Sequence, residues 1–128
     1  MIAAETGRPI TIYGDGKQVR DVLHVDDLIA AYEAAIGHPE AAVGQAFNIG
    51  GGPANALSLR ALLALLEQAK RTPLPVSWAG WRIGDQRVFV SDIRKAKTAL
   101  GWAPAVPVGE GIARLRTWVH DNARLFEA

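Results

Sequence analysis

Three arginines lie where the chain turns rather than on the solvent face of a helix: Arg20, Arg82 and Arg87. Each is beside a short β-branched run or in a loop that contains glycine. A guanidinium presents a planar fork of donors that suits a diphosphate. Asp85, in the same loop as Arg82, could accept hydrogen bonds from ribose hydroxyls, although an Arg–Asp pair in a loop is more often a simple ion pair. The aromatic side chains that could cover a base are Tyr13, Trp78 and Trp81.

Tyr13 and Lys17 have the Tyr-x-x-x-Lys spacing, in which one helical turn brings a lysine beside a catalytic tyrosine. Gly14 and Gly16 between them favour a turn instead of a helix. In a turn this spacing no longer places the two side chains together. We therefore assign no catalytic residue to this chain.

The sequence also argues against a cofactor loop and a metal centre. The triple glycine Gly50–Gly52 is followed by Pro53, so it lacks the Gly-x-Gly-x-x-Gly spacing that opens a helix beneath a dinucleotide phosphate. His24 with Asp26 and Asp27 is a poor metal ligand set without a further histidine or cysteine. We predict that this chain alone holds neither a cofactor nor a metal.

Composition narrows the class of partner. The 128 residues carry 14 basic and 13 acidic side chains, which give a net charge of +1 without long like-charge runs. That balance predicts no binding to nucleic acid or to an anionic membrane. The chain has no cysteine, no basic and apolar leader pattern and no apolar run of the length of a membrane span. We expect a cytoplasmic protein with one modest core.

Short strands that alternate with capped helices would position these residues. The predicted strands are Pro9–Tyr13, Val22–Val25, Ala46–Ile49, Val76–Trp78 and Arg87–Val90. The predicted helices are Leu28–Ile36, a helix from Ser58 to about Lys70, Ile93–Leu100, and a last helix from Gly109 or Glu110 to about Phe126. The predicted N-caps are Asp26 or Asp27, Ser58 and Asp92. The predicted core stripe of the last helix is Ile112, Leu115, Trp118, Val119, Leu125 and Phe126, interrupted by Asn122.

The pattern predicts an α/β fold, or an α+β fold for the isolated piece. The Ala46–Ile49 strand and the Leu59–Leu66 part of a helix are more apolar than a half-exposed sheet in so small a domain requires. A parallel strand buried on both faces normally has neighbours and covering helices. We expect a missing neighbour beside them; a compact α+β domain with an unusually apolar helix is the alternative.

Several stretches, taken in their order along the chain, resemble the C-terminal portion of extended short-chain dehydrogenase/reductases, which form the NAD-dependent epimerase/dehydratase family. They cover roughly residues 8 to 124. The stretches are Ile12–Leu28, Phe47–Gly51, Arg82–Asp92, Lys95–Ala96 and Leu100–Pro104. Asn48–Asn55 and Trp81–Arg87 most resemble the CDP-paratose 2-epimerase subfamily, also called CDP-tyvelose epimerases.

The resemblance implies that residues 1–128 are a single substrate-binding portion for a nucleotide sugar, with a CDP-sugar favoured. It places Arg20 and Arg82 on the diphosphate, Asp85 on the ribose and Tyr13 near the base. In the intact family, NAD and the catalytic tyrosine belong to an N-terminal Rossmann portion, which has no counterpart in this sequence. Ile83 stands where a proline is common.

Three hypotheses follow for the chain as a whole. It is an incomplete epimerase whose chemistry comes from a separate Rossmann portion, a stand-alone nucleotide-binding module that forms homo-oligomers, or a structural fragment without a ligand. Ligand binding separates the second hypothesis from the third.

Overall fold

The computed structural model describes residues 1–126, which form short strands and helices in two sheets. The strands are β1 (Ile10–Tyr13), β2 (Val19–Asp21), β3 (Ala56–Ser58), β4 (Val76–Ala79) and β5 (Val88–Phe89). The helices are α1 (Ile2–Thr6), α2 (Val25–Gly37), α3 (Pro39–Ala42), α4 (Leu59–Lys70), α5 (Arg94–Leu100) and α6 (Val108–Asp121), with 3-10 turns at Pro53–Asn55 and Ala123–Phe126. The four longest helices are the four predicted from the sequence. The predicted mixture of short strands and helices is confirmed.

The chain divides into two compact units. The first unit contains Met1–Val19, Ser58–Val88 and the chain from Gly109, and the second contains Arg20–Leu57 and Phe89–Val108. β1 and β4 form a two-stranded parallel sheet, and the order of the other sheet is β3-β2-β5. No helix within residues 1–126 combines the length and the apolar content needed to cross a bilayer.

The first unit is built on β1, β4 and α4, each of which overlaps a strand or helix predicted from the sequence. Ser58 caps α4, because its Oγ accepts a hydrogen bond from the amide of Ala61 at 3.1 Å. The buried core residues are Ala4, Leu66 and Leu74. The apolar face of α4 therefore packs in this unit through Leu66.

The last helix is shorter than predicted. α6 ends at Asp121, and Asn122 turns its side-chain amide back to donate to the carbonyl of Trp118 at 2.8 Å. Such local bonding of an asparagine competes with helix continuation. The predicted core stripe is confirmed only in part: Val119 is buried and Ile112 packs against the core, whereas Leu115, Trp118 and Leu125 are exposed.

Two strand predictions in the second unit are wrong. Val22–Val25 is not a strand, because pairing occurs earlier, at β2, and α2 already begins at Val25. Ala46–Ile49 forms no strand: no backbone amide from Phe47 to Ile49 donates a hydrogen bond within residues 1–126. The side chains from Ala46 to Ile49 still alternate between exposed and half-buried, which is the period of an extended segment. The apolar pattern of a strand is present, and no strand within residues 1–126 pairs with it.

The N-cap of α2 is His24, not Asp26 or Asp27. The Nδ1 of His24 accepts the amide of Asp26 at 3.2 Å. Asp27 is buried instead, and its two carboxylate oxygens accept the amides of Ala105 at 2.9 Å and Val106 at 3.0 Å. Asp27 thus joins the first turn of α2 to a segment far along the chain.

The core of the second unit forms around Trp102. Its buried members are Ala31, Ala96, Leu100 and Trp102. The indole Nε1 of Trp102 donates to the carbonyl of Asp27 at 2.9 Å, which satisfies its polar atom inside the core. α5 ends at Gly101, whose φ is 66°, as predicted. Its first amide, that of Arg94, donates to the carboxylate of Asp92 at 3.0 Å, so Asp92 acts near the predicted cap position.

Asp21 gives the second unit a predictable response to acid. Its carboxylate accepts the amides of Gly52 at 3.0 Å and Ser91 at 3.1 Å. Burial acts to raise the pKa of Asp21, but these hydrogen bonds outweigh burial and lower the pKa below its ordinary value of 3.8. A lowered folded-state pKa contributes stability that is present above pH 3.8 and is lost as pH falls through the folded-state pKa.

We therefore expect the Asp21→Asn variant to unfold at a lower Tm than the parent chain at about pH 7, with the difference shrinking towards about pH 3. Thermal unfolding followed by circular dichroism across this range measures the effect. Asp121→Asn, at an exposed position at the end of α6 in the first unit, is the matched control. A Tm difference that stays constant with pH would contradict the role of the Asp21 charge.

Candidate functional site

The carboxyl ends of β1 and β4 bring two predicted loops side by side in the first unit. The strands pair in parallel with Tyr13 opposite Ala79, and the amide of Gly14 donates to the carbonyl of Ala79 at 2.9 Å. The glycine turn (residues 14–18) and the arginine loop (residues 80–87) therefore leave the same edge of this sheet. Ligands of α/β proteins commonly bind at this edge.

Arg82 and Tyr13 meet across these loops. The guanidinium carbon of Arg82 lies 3.7 Å from the centre of the Tyr13 ring, a cation–π stack. The guanidinium makes no hydrogen bond or ion pair within residues 1–126, and Arg82 is exposed. Its stacked face is held by Tyr13, while its in-plane donors are available to an anion.

Trp81 packs on the glycine turn. A Cβ placed on Gly14 would lie 2.6 Å from the ring of Trp81, and the φ of Gly14 is +80°. Both the backbone conformation and the close approach of the indole therefore require glycine at this position. Arg87 makes a second arginine–aromatic contact in this loop, because its guanidinium carbon lies 5.3 Å from the centre of the Trp81 ring.

The N-terminus of α4 holds the glycine turn. The amides of Leu59 and Arg60 donate to the carbonyls of Gln18 at 3.2 Å and Gly16 at 2.9 Å. The Arg60 side chain donates to the carbonyl of Asp15 at 2.7 Å and stacks over Trp78 at 5.2 Å. The first amides of the helix are thereby satisfied by the turn, and the turn is fixed by the helix.

Gln18 supports the turn from inside. The residue is 4% exposed, and its Nε2 donates to the carbonyl of Tyr13 at 2.6 Å. Lys17 is held by a short-range contact instead, since its amide donates to the Asp15 carboxylate at 2.9 Å. The turn is confirmed, and Tyr13 and Lys17 do not occupy one helical turn.

The arginine loop contains a tight turn over residues 82–85. The amide of Asp85 donates to the carbonyl of Arg82 at 3.2 Å, and Gly84 has a φ of +79°. A positive φ at the third position is typical of a type II turn, whose second position favours proline. Ile83 occupies that second position, which explains why proline is compatible there. Arg82 and Asp85 are thus the first and last residues of one turn.

The predicted site residues divide between the units. Tyr13, Arg82 and Asp85 lie in the first unit, on the two loops just described, and Arg20 lies in the middle of β2 in the second unit. Sequence analysis missed Arg60 and Gln18, which contact the backbone of the glycine turn. The available signals were the position of Arg60 two residues after the Ser58 N-cap and the position of Gln18 directly before β2. Within residues 1–126, no group of three histidine, cysteine or acidic residues is arranged to hold a metal.

The amino-acid sequence is similar to those of known proteins. The profile of the NAD dependent epimerase/dehydratase family matches residues 1–50. CDP-paratose 2-epimerase of Salmonella typhi is 45% identical over 116 residues, which are 87% of this chain and 33% of that protein. A dTDP-glucose 4,6-dehydratase of Xanthomonas campestris is 35% identical over 93% of this chain and 36% of its own length.

Solved structures of epimerases have a similar fold over most of this chain. An epimerase from Methanothermobacter thermautotrophicus superposes with a TM-score of 0.87 at 27% identity, over 96% of this chain and 36% of its own. UDP-glucuronic acid 4-epimerase from Bacillus cereus, solved with UDP-glucuronic acid and NAD, gives a TM-score of 0.80 at 28% identity, over 88% of this chain and 35% of its own.

The fold is that of the C-terminal portion of an extended short-chain dehydrogenase/reductase. The predicted resemblance to the NAD-dependent epimerase/dehydratase family is confirmed by the match of residues 1–50 to the family profile and by the 45% identity to CDP-paratose 2-epimerase. It spans about a third of the length of the curated relatives it matches.

Proposed function

We propose that this chain is the substrate-binding portion of an NAD-dependent nucleotide-sugar epimerase or dehydratase and is not catalytic by itself. One observation carries the proposal: the Arg82 guanidinium is held over Tyr13 at the edge where β1 and β4 end, with its donors available. Arg82 would bind the diphosphate, Asp85 the ribose and Tyr13 the region of the base. Arg20 is a further diphosphate ligand proposed from sequence resemblance.

Cytidine is the base that we favour. The support is the 45% identity to CDP-paratose 2-epimerase, which is higher than the identity to the dTDP- and UDP-dependent relatives. The reaction that follows would be a CDP-sugar 2-epimerisation in the complete enzyme. A cytoplasmic location remains a prediction.

NAD would have to be held by residues outside this chain. Gly50–Gly52 does not provide a phosphate loop, because Gly50 packs against Asp21 and Ser91, and Gly51 packs against the carbonyl of Val22. A dinucleotide phosphate loop would instead present free amides between a strand and a helix. We therefore assign to this chain the binding and orientation of the substrate, and no hydride step.

Ligand-dependent unfolding tests the proposal. A ligand that binds only the native state raises Tm, because it adds to the free energy of unfolding. The added free energy is about 2.7 kcal/mol at a ligand concentration 100 times Kd. We expect CDP to raise the Tm of the purified chain more than UDP does, and NAD to leave it unchanged. Equal shifts with CDP and UDP would remove the preference for cytidine. A cooperative transition unmoved by either diphosphate would favour a structural fragment over a binding module.

A further inference from the structure

The peptide group between Tyr13 and Gly14 is held by hydrogen bonds on two opposite sides. The amide of Gly14 donates to the carbonyl of Ala79 on β4 at 2.9 Å. The N–H and C=O of a trans peptide point in opposite directions, so the carbonyl of Tyr13 points away from β4. There it accepts a hydrogen bond from the Nε2 of Gln18 at 2.6 Å. The strand β4 and the Gln18 side chain together fix the plane of this peptide.

The orientation of this peptide decides where the arginine loop sits. Gly14 has a φ of +80°, and glycine adopts either sign of φ, so sterics alone do not fix the peptide. The indole of Trp81 packs so closely on Gly14 that a Cβ there would lie 2.6 Å from the ring. Arg82 follows Trp81 directly and stacks on Tyr13 at 3.7 Å. A rotation of the peptide would therefore displace Trp81 and Arg82 together.

The side chain of Gln18 is buried although one of its polar atoms has no partner. The residue is 4% exposed, and its Oε1 makes no hydrogen bond in the part of the chain that the structure describes. A buried acceptor without a partner destabilises a fold. A methionine of the same length would avoid this cost, so the packing of the turn does not require an amide. What the amide adds is the donor to Tyr13.

We infer that Gln18 is a positioning residue for the binding site around Arg82. Its Nε2 fixes the peptide that follows Tyr13, and this peptide seats the ring of Trp81. The seated loop then places the guanidinium of Arg82 over the Tyr13 ring. Gln18 is buried inside the turn and acts only through these neighbours. Its effect on affinity rests on the proposed function, whereas its effect on the stack is a property of the chain without a ligand.

NMR of the ligand-free chain tests the positioning directly. Ring current from Tyr13 is expected to shift the side-chain protons of Arg82 upfield, and Tyr13→Leu gives the reference value without a ring. We expect Gln18→Met to move these resonances towards that reference. Gln68→Met makes the same replacement at an exposed position of α4 and should keep the parent values. Arg82 resonances that Gln18→Met leaves unchanged would overturn the inference.

Thermal unfolding separates positioning from a general loss of structure. Gln18→Met removes the unpartnered Oε1 but leaves the carbonyl of Tyr13 without its donor, so the number of unsatisfied acceptors stays the same. We therefore expect its Tm to stay within about 4 °C of that of the parent chain. A larger fall, or the loss of a cooperative transition, would show that the glutamine supports the fold as a whole and would contradict a positioning role.

CDP binding tests the consequence for the site. We expect Gln18→Met to weaken CDP binding by about fivefold to tenfold, because a displaced guanidinium no longer meets the diphosphate in a bidentate contact. In a chain that already carries Arg82→Ala, Gln18→Met should weaken binding no further. Additive weakening would mean that Gln18 acts independently of Arg82, against the inference. If the parent chain does not bind CDP, the proposed function fails, and the NMR comparison still decides the positioning role.

Discussion

Replacement of Asp27 by alanine is expected to lower the free energy of unfolding by about 3 kcal/mol, the largest effect of any single change proposed. The carboxylate is buried and accepts two backbone amides, those of Ala105 and Val106. Hydrogen bonds to a charged group contribute about 1.5–3 kcal/mol, and their loss leaves two amides without a partner. Urea unfolding at neutral pH measures the change.

Graded variants distinguish these hydrogen bonds from a general effect of charge. Asp27→Asn keeps one acceptor oxygen, so we expect a loss intermediate between the parent chain and Asp27→Ala. Asp26→Ala removes a neighbouring exposed carboxylate, and a helix-terminal charge contributes about 0.3–1 kcal/mol. Equal losses for Asp26→Ala and Asp27→Ala would show that the contacts to residues 105 and 106 do not stabilise the fold.

Replacement of Arg82 by alanine is expected to weaken CDP binding by about 2 kcal/mol, roughly 30-fold in Kd, because a charge-assisted bidentate contact is removed. Arg82→Lys should recover only part of this loss, since an ammonium cannot reproduce the planar fork or its stack on Tyr13. Isothermal titration calorimetry with CDP measures both variants.

Arg124→Ala is the matched control for Arg82→Ala. It removes an exposed arginine from the 3-10 turn Ala123–Phe126, away from both loops in sequence. We expect its CDP affinity to equal that of the parent chain. If Arg82→Ala binds CDP as the parent chain does, Arg82 is not a ligand, whereas equal weakening in both variants would indicate a general effect of net charge.

The sequence predicted correctly those strands, turns and helix ends that depend on a few neighbouring residues. The β1 strand, the turn at Gly14 and Gly16, the Ser58 cap and the end of α5 at Gly101 each depend on a few neighbouring residues. The cap of α2 was assigned to the wrong residue because an aspartate is the commoner cap and a histidine rarely serves. What Asp27 does instead depends on residues 105 and 106, and no local pattern reports such a contact.

Apolar pattern predicted which side chains favour burial, and not whether a partner covers them. Ala46–Ile49 has the composition of a buried strand and pairs with no strand among the described residues, and Trp118 belongs to a predicted core stripe yet is 52% exposed. Burial depends on what packs against a face, which the face itself does not encode.

The candidate site was predicted in part. Tyr13, Arg82 and Asp85 were selected by residue type and by resemblance, and the parallel register of β1 and β4 explains why two loops distant in sequence meet. The stack of Arg82 on Tyr13 was beyond prediction, because it depends on that register. Arg60 was missed since its contact to the turn is made through a backbone carbonyl.

The stack of Arg82 on Tyr13 has an entropic consequence. A free arginine side chain carries about 2 kcal/mol of rotamer entropy, much of which is lost when a ligand immobilises it. In this chain the ring of Tyr13 restricts the guanidinium before any ligand arrives. Part of the ordering cost is therefore already met on folding, so an anion bound by Arg82, as we propose, would retain more of its intrinsic interaction energy as affinity.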